Sequence, residues 1–182
     1  MKKLLLCFIV SASLIACTNQ ETKKAKNSVA DKDTGTWTSL DSKTIKVRKL
    51  LEYYVKNDTS VVYEIVVDTM KFSDQLANNQ ENGVTKVNTG GRVGFAQITR
   101  NDHQFFSDIT LTTDNIKTFV GKDGGIATLY WGMWSGKGKY TKNKCTVPVH
   151  LYFFWKGDKI ISGGRFVDPT VSKEEFAASQ KK

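Results

Sequence analysis

Four side chains in this 182-residue sequence are placed to do chemistry: the thiol of Cys17, the carboxylate of Asp168 and the imidazoles of His103 and His150. Cys17 closes the run Leu14-Ile15-Ala16-Cys17, behind the basic Met1-Lys2-Lys3 and the apolar residues 4–15. A small residue followed by Cys at the end of such a leader is a lipoprotein signal. Cleavage before Cys17 lets its thiol carry a diacylglyceryl group and its freed amine a third acyl chain. The apolar run is shorter than the ~20 residues a spanning helix needs, so cleavage is favoured over a retained anchor. Asp168 is a candidate general acid or base tuned by apolar neighbours, provided that a protonatable partner comes within about 3 Å, directly or through one water. His103 lies in Asn101-Asp102-His103, where it can line a pocket mouth. The two His are far apart and have no carboxylate at ligand spacing, so neither a metal nor any other cofactor is implied.

The remaining cysteines agree with export. Cys7 leaves with the leader and Cys17 is acylated, so Cys145 has no partner for a disulfide and is read as a small apolar filler. Stability then has to come from one packed core. The formal charge of +9 is spread along the chain, and in an extracytoplasmic compartment no nucleic-acid partner is expected. Its densest group, Lys137, Lys139, Lys142 and Lys144, reads as a solvated hairpin loop, with anionic lipid headgroups as the alternative contact. No Asp directly follows Cys17, which resembles the sorting pattern of lipoproteins held at the outer membrane of the bacterial cell envelope.

The elements that must position these groups run helices first and strands last. The expected organisation is a signal peptide over 1–16, the lipidated Cys and a flexible tether over 17–40, a folded domain over 41–171, and a short C-terminal helix and tail over 172–182. Val47, Leu50, Leu51, Tyr54 and Val55 fall at helical spacing behind a possible Asp41 or Ser42 cap. Asp58 or Thr59 can cap a second helix through Val66, although residues 61–67 are β-branched enough for a strand. A short strand over 69–72, a loop over 73–82 and a third helix opened by Asn88 or Thr89 follow. Four strands are predicted over 109–120, 126–134, 146–155 and 159–167, and Ser172-Lys-Glu-Glu175 reads as a capping box.

Gly157-Asp158 is a two-residue hairpin signal, and it predicts a register: Lys156 opposite Lys159, Phe154 opposite Ile161, Tyr152 opposite Gly163 and His150 opposite Arg165. The other face then carries Val147, Val149, Leu151, Phe153 and Trp155 beside Ile160, Phe166 and Asp168, and being the more apolar it is assigned inward. That places Asp168 at the rim of the interior. It leaves His150, Tyr152, Phe154 and Arg165 as an outward patch suited to a homodimer.

The segments Lys49-Leu-Leu-Glu-Tyr-Tyr-Val-Lys-Asn-Asp58, Tyr130-Trp-Gly-Met-Trp-Ser-Gly136 and Val147-Pro-Val-His-Leu-Tyr-Phe-Phe-Trp-Lys-Gly-Asp-Lys-Ile-Ile161, with Arg165-Phe-Val-Asp168, resemble the SnoaL-like branch of the nuclear transport factor 2-like superfamily over residues 42–170. The resemblance implies an α+β cone: a strongly curved, mainly antiparallel sheet packed on N-terminal helices and open at one end to a pocket. It also implies that an acid, matched here by Asp168, pairs with a His in members that are cyclases. The predicted register puts His150 on the opposite face from Asp168, so the catalytic candidates are Asp168 and His103, with Tyr54, Tyr63 or His103 as the group that assists Asp168. The ligand pocket is expected to be lined by Tyr54, Tyr63, Trp131, Leu151, Phe153 and Phe166. One placed carboxylate without an imidazole in register favours a non-catalytic domain that binds a small apolar or amphipathic ligand or an envelope partner. An acid–base isomerase, cyclase or dehydratase using Asp168 is the alternative.

Overall fold

The computed structural model describes residues 34–74, 80–81, 84–85, 87–88 and 90–181. The expected leader, the acylated Cys17 and most of the expected tether lie outside the described residues. Strand β1 (Gly35–Thr38) falls inside the segment read as tether: it pairs antiparallel with Gly121–Thr118, so order begins before Trp37. Trp37 is half exposed and packs against Phe119 at this sheet edge.

Helix α1 (Ser42–Val55) starts where its cap predicts. Asp41 Oδ1 accepts from Thr44 N at 2.7 Å and Thr44 Oγ1 accepts from Asp41 N at 3.0 Å, which satisfies two otherwise orphaned donors. Helix α2 (Ser60–Ile65) runs directly into β2 (Val66–Asp74). The ambiguous β-branched run is therefore helix first and strand second. Val61, Val62 and Ile65 are all buried, which one helical face allows and strand alternation does not. Strands β3 (Gln80–Glu81), β4 (Val84–Thr85) and β5 (Val87–Asn88) precede α3 (Gly91–Phe105). Asn88 sits in β5, and α3 instead opens at Gly91 with φ +63°, where a side chain would run into the carbonyl of Asp68. Phe106 leaves the helix and begins β6 (Phe106–Leu111). The single strand expected over 109–120 divides into β6 and β7 (Ile116–Gly121).

Three long strands, β8 (Ile126–Gly138), β9 (Lys144–Lys156) and β10 (Lys159–Val167), form the body of a curved, unclosed sheet in the order β1-β7-β8-β9-β10-β2-β5, with β6 also on β8. The pairing of β10 with β2 is parallel and the others are antiparallel. Helix α4 (Thr170–Ser179) closes the described chain. The core lies between the inner sheet face and α1 to α3, with Val47, Ile65, Tyr130, Phe153 and Ile160 at its centre. A buried polar thread crosses it: Thr118 donates to Asp41, Thr118 and Thr128 share a hydrogen bond at 2.9 Å, and Trp155 Nε1 donates to Thr128.

The hairpin turn is where the sequence places it, and Lys156 faces Lys159. A β-bulge at Ile161 then shifts the register by one, so Arg165 lies opposite Leu151 and Phe166 opposite His150. Because side chains alternate, one extra residue exchanges the two faces beyond it. Arg165 and Val167 turn inward and are buried, whereas Phe166 and Asp168 turn outward. Val149, Leu151, Phe153 and Trp155 keep the inward face predicted for β9.

Candidate functional site

Tyr54 from the last turns of α1, Asp74 from the end of β2, Asp102 from α3, Trp134 from β8 and Arg165 from β10 converge beneath the sheet. Arg165 presents Nε and Nη2 to the two oxygens of Asp74, each at 2.8 Å, and Nη1 to Asp102 Oδ2 at 2.5 Å. The first pair is the bidentate fork that a planar guanidinium is shaped to make. Asp102 Oδ2 also accepts from Tyr54 Oη at 2.9 Å, and Tyr54 Oη accepts from Trp134 Nε1 at 2.8 Å. Indole nitrogen can only donate, so the phenolic proton is left to Asp102 and the direction of the chain is set.

The electrostatics follow from burial. Arg165 and Asp74 have side chains only 9 % and 1 % exposed. Burial alone would favour a neutral guanidinium, but the charges of Asp102 and Asp74 and the hydrogen bond to Asp74 outweigh it and hold Arg165 firmly protonated. Burial, and then the charge of Asp102, push the Tyr54 phenol well above its ordinary value, so it stays a neutral donor.

Arg165 separates two spaces. On one side is an apolar chamber of about 60 Å³ walled by Leu50, Leu51, Phe95, Trp134, Leu151 and Phe153, with Tyr54 at its edge. On the other is a groove of about 330 Å³ bounded by Asp74, Asp102, Phe105 and Phe106, and by Ser172, Lys173 and Phe176 of α4. Both meet at the ion cluster, so a molecule with an apolar part and a polar end finds complementary surroundings across the boundary.

The predicted site residues divide. Tyr54, Leu151 and Phe153 line the chamber. Tyr63 does not: it is exposed on α2, under the Arg92 guanidinium. Trp131 lies on the outer sheet face, stacked on His150 at 4.9 Å, and Phe166 joins it there because of the bulge. Asp168, expected at the rim of the interior, is exposed and accepts from Thr170 N, the first residue of α4, at 2.9 Å; that hydrogen bond lowers its carboxyl below the usual range. It borders a crevice of about 20 Å³. His103, in the last turn of α3, places Nε2 2.7 Å from the carbonyl of Tyr54. A carbonyl can only accept, so Nε2 carries the proton. Among the described residues no hydrogen bond joins Asp168 to His103. The outer patch keeps His150, Tyr152 and Phe154 and gains Phe166 in place of Arg165.

Sequence reasoning did not single out Asp74, Asp102 or Arg165 as a site. Asp74 fell in the segment read as loop, Asp102 was noticed only as the neighbour of His103, and the bulge hid the inward turn of Arg165. One signal was present in the chain: an Arg flanked by Gly-Gly and an apolar pair in a core strand has to find buried carboxylates.

Comparison with known proteins gives a match in structure alone. No family model matches this chain, and neither does any curated protein. Among solved structures, a nuclear transport factor 2-like protein of unknown function from Burkholderia pseudomallei is similar with a TM-score of 0.56 at 12 % identity, covering 74 % of this chain and 97 % of that one. A SnoaL-like polyketide cyclase from Agrobacterium tumefaciens gives 0.53 at 11 % identity, covering 75 % and 99 %. A hypothetical protein of ketosteroid isomerase-like fold from Catenulispora acidiphila, solved in complex with trimethylamine, gives 0.50 at 13 % identity, covering 66 % and 83 %. The fold of this chain is the nuclear transport factor 2-like α+β fold.

Proposed function

We propose that this chain is a lipid-anchored, extracytoplasmic binding domain without catalytic activity, whose chamber takes the apolar part of a small apolar or amphipathic molecule. The observation that carries this reading is the commitment of the polar groups around the chamber. Tyr54 gives its proton to Asp102, Asp102 Oδ2 accepts from both Tyr54 and Arg165, and Arg165 is clasped by Asp74. An acid–base catalyst needs a group whose proton can pass to substrate. Here the phenol is held neutral and the carboxylates are tied to a permanent cation. A chamber of about 60 Å³ also suits a ligand of few atoms. The trimethylamine complex of the Catenulispora protein supports a small occupant for this fold. The enzyme reading built on Asp168 is not favoured, because that exposed carboxylate is engaged by the Thr170 N–H outside the chamber.

The anchoring half of the proposal rests on the leader and Cys17, with attachment at the outer membrane and self-association through the outer sheet face. Labelled palmitate fed to the producing bacterium is expected in the wild-type protein and not in Cys17→Ser, which should leave the membrane fraction. For binding, native mass spectrometry of the purified protein is expected to find a retained small molecule that is absent from Leu151→Phe, whose larger side chain fills the chamber. A folded wild-type protein with no added mass, or turnover of a small carbonyl substrate that Tyr54→Phe abolishes, overturns the reading.

A further inference from the structure

Helix α4 is attached in an unusual way. Only Glu175 among its residues is fully buried, whereas its large apolar side chain, Phe176, is 44 % exposed and merely edges against Phe105 with ring centres 6.0 Å apart. A helix that belongs to a core normally docks through an apolar stripe. This one sets a single apolar side chain, the partly buried Val171 of its first turn, against the core and docks its remaining length through a carboxylate. Glu175 Oε1 accepts from the Tyr140 N–H, and Oε2 accepts from Thr141 N at 3.1 Å and Thr141 Oγ1 at 2.7 Å. All three donors belong to the short loop between β8 and β9. The receiving notch is also shaped for it: a Cβ on Gly138 would overlap both Glu175 Oε2 and Thr141 Oγ1.

Two spaces lie beside this helix. One is the groove of about 330 Å³ that reaches Asp102 and Arg165, with Ser172, Lys173 and Phe176 as its α4 wall. The other, about 360 Å³, is bounded by Val171, Glu174 and Glu175 of α4, with Cys145 on β9 opposite them. Phe106 borders both. We infer that α4 is a hinged lid, latched by Glu175 in the Gly138–Thr141 notch and turning at Asp168-Pro169, whose release opens the groove leading to the Asp102–Arg165 cluster. The lid is independent of what the chamber binds, so it stands or falls separately from the proposed function.

Cys145 is a built-in reporter: half-buried, with Sγ donating to the Gly136 carbonyl at 3.4 Å, it reacts faster when α4 moves away. Both oxygens of Glu175 are acceptors, so in Glu175→Gln either orientation of the amide turns an NH2 toward an N–H or O–H donor and breaks the latch. Gly138→Ala fills the notch from the strand side, its methyl displacing the Glu175 carboxylate while the sequence of α4 is unchanged. Alkylation of Cys145 by iodoacetamide, followed in the full chain by peptide mass spectrometry, is expected to rise about tenfold in each variant, as loss of charge-assisted hydrogen bonds implies. Glu174→Gln, on the same wall but outside the latch, is expected to leave the rate unchanged. Hydrogen exchange is expected to speed up over 170–179 and to stay slow in β9 and β10. Unchanged alkylation in both latch variants overturns the lid. So does an equal loss of protection in β9 and β10, since α4 would then unfold only with the core.

Discussion

Removing the guanidinium of Arg165 leaves Asp74 and Asp102 buried without their shared cation, and the cost is set by that stranding rather than by the bonds lost. Arg165→Met keeps the volume and removes the charge. It is expected to lower unfolding stability by about 3–5 kcal/mol, the usual penalty for breaking a buried ion pair from one side. Urea denaturation at pH 7 measures it, and a loss below about 1 kcal/mol would mean that water reaches the cluster freely. A second variant separates charge from packing: Asp74→Asn with Arg165→Met removes both members of the fork, and it should recover part of the loss because one fewer charge stays buried.

At the scale of elements, two devices decide where these residues point. The polar thread Asp41–Thr118–Thr128–Trp155 ties the start of α1 to three strands, and Thr128→Val leaves the Trp155 N–H without its acceptor inside the core. A loss of about 1–3 kcal/mol is expected, read from the same denaturation curves. The second device is the bulge. Deleting Ile161 removes the extra residue while keeping Ile160 opposite Trp155 and Ser162 opposite Phe154, so Arg165 should still turn inward and the deletion should cost less than Arg165→Met. If the deletion proves the more destabilising of the two, the bulge has a role in twisting the sheet beyond register. These devices also show how far the chain could be read. The cap at Asp41, the α1 stripe, the Gly157-Asp158 turn and the inner face of β9 are local patterns, and they were legible. A bulge has no such signature, because Ile161-Ser162 alternates as well in either register, and one residue of slip moved Asp168 out and Arg165 in. Asp74 was illegible for another reason: it ends β2, which pairs in parallel with a strand some 90 positions later, a contact no window of local sequence contains. The C-terminal capping box was misread similarly, since Glu175 answers a distant loop and not Ser172.

The molecule as a whole carries one face that water alone covers poorly. Trp131, His150, Tyr152, Phe154 and Phe166 stack across the outer sheet, with His150 parallel to Trp131 and its buried Nε2 without a hydrogen-bond partner. An orphaned buried nitrogen is costly, and a second copy bringing a donor or acceptor to this face would satisfy it. Dimerisation through the sheet, proposed here, thus accounts for both the aromatic ladder and the imidazole. Trp131→Lys combined with Phe154→Lys should give a monomer in light scattering where the wild type gives a dimer, with the inner core untouched because neither side chain reaches it. The imidazole adds a pH dependence of definite sign. Burial lowers the His150 pKa from its ordinary value of 6.5, so the neutral form is the one that the folded face accommodates. The folded state therefore keeps this contribution in full above 6.5 and loses it as pH falls toward the lowered value. A fall in urea unfolding stability on acidification below pH 6.5, smaller in His150→Gln, is the expected result. A wild type that stays monomeric at pH 7.5 would assign the outer face to some other partner.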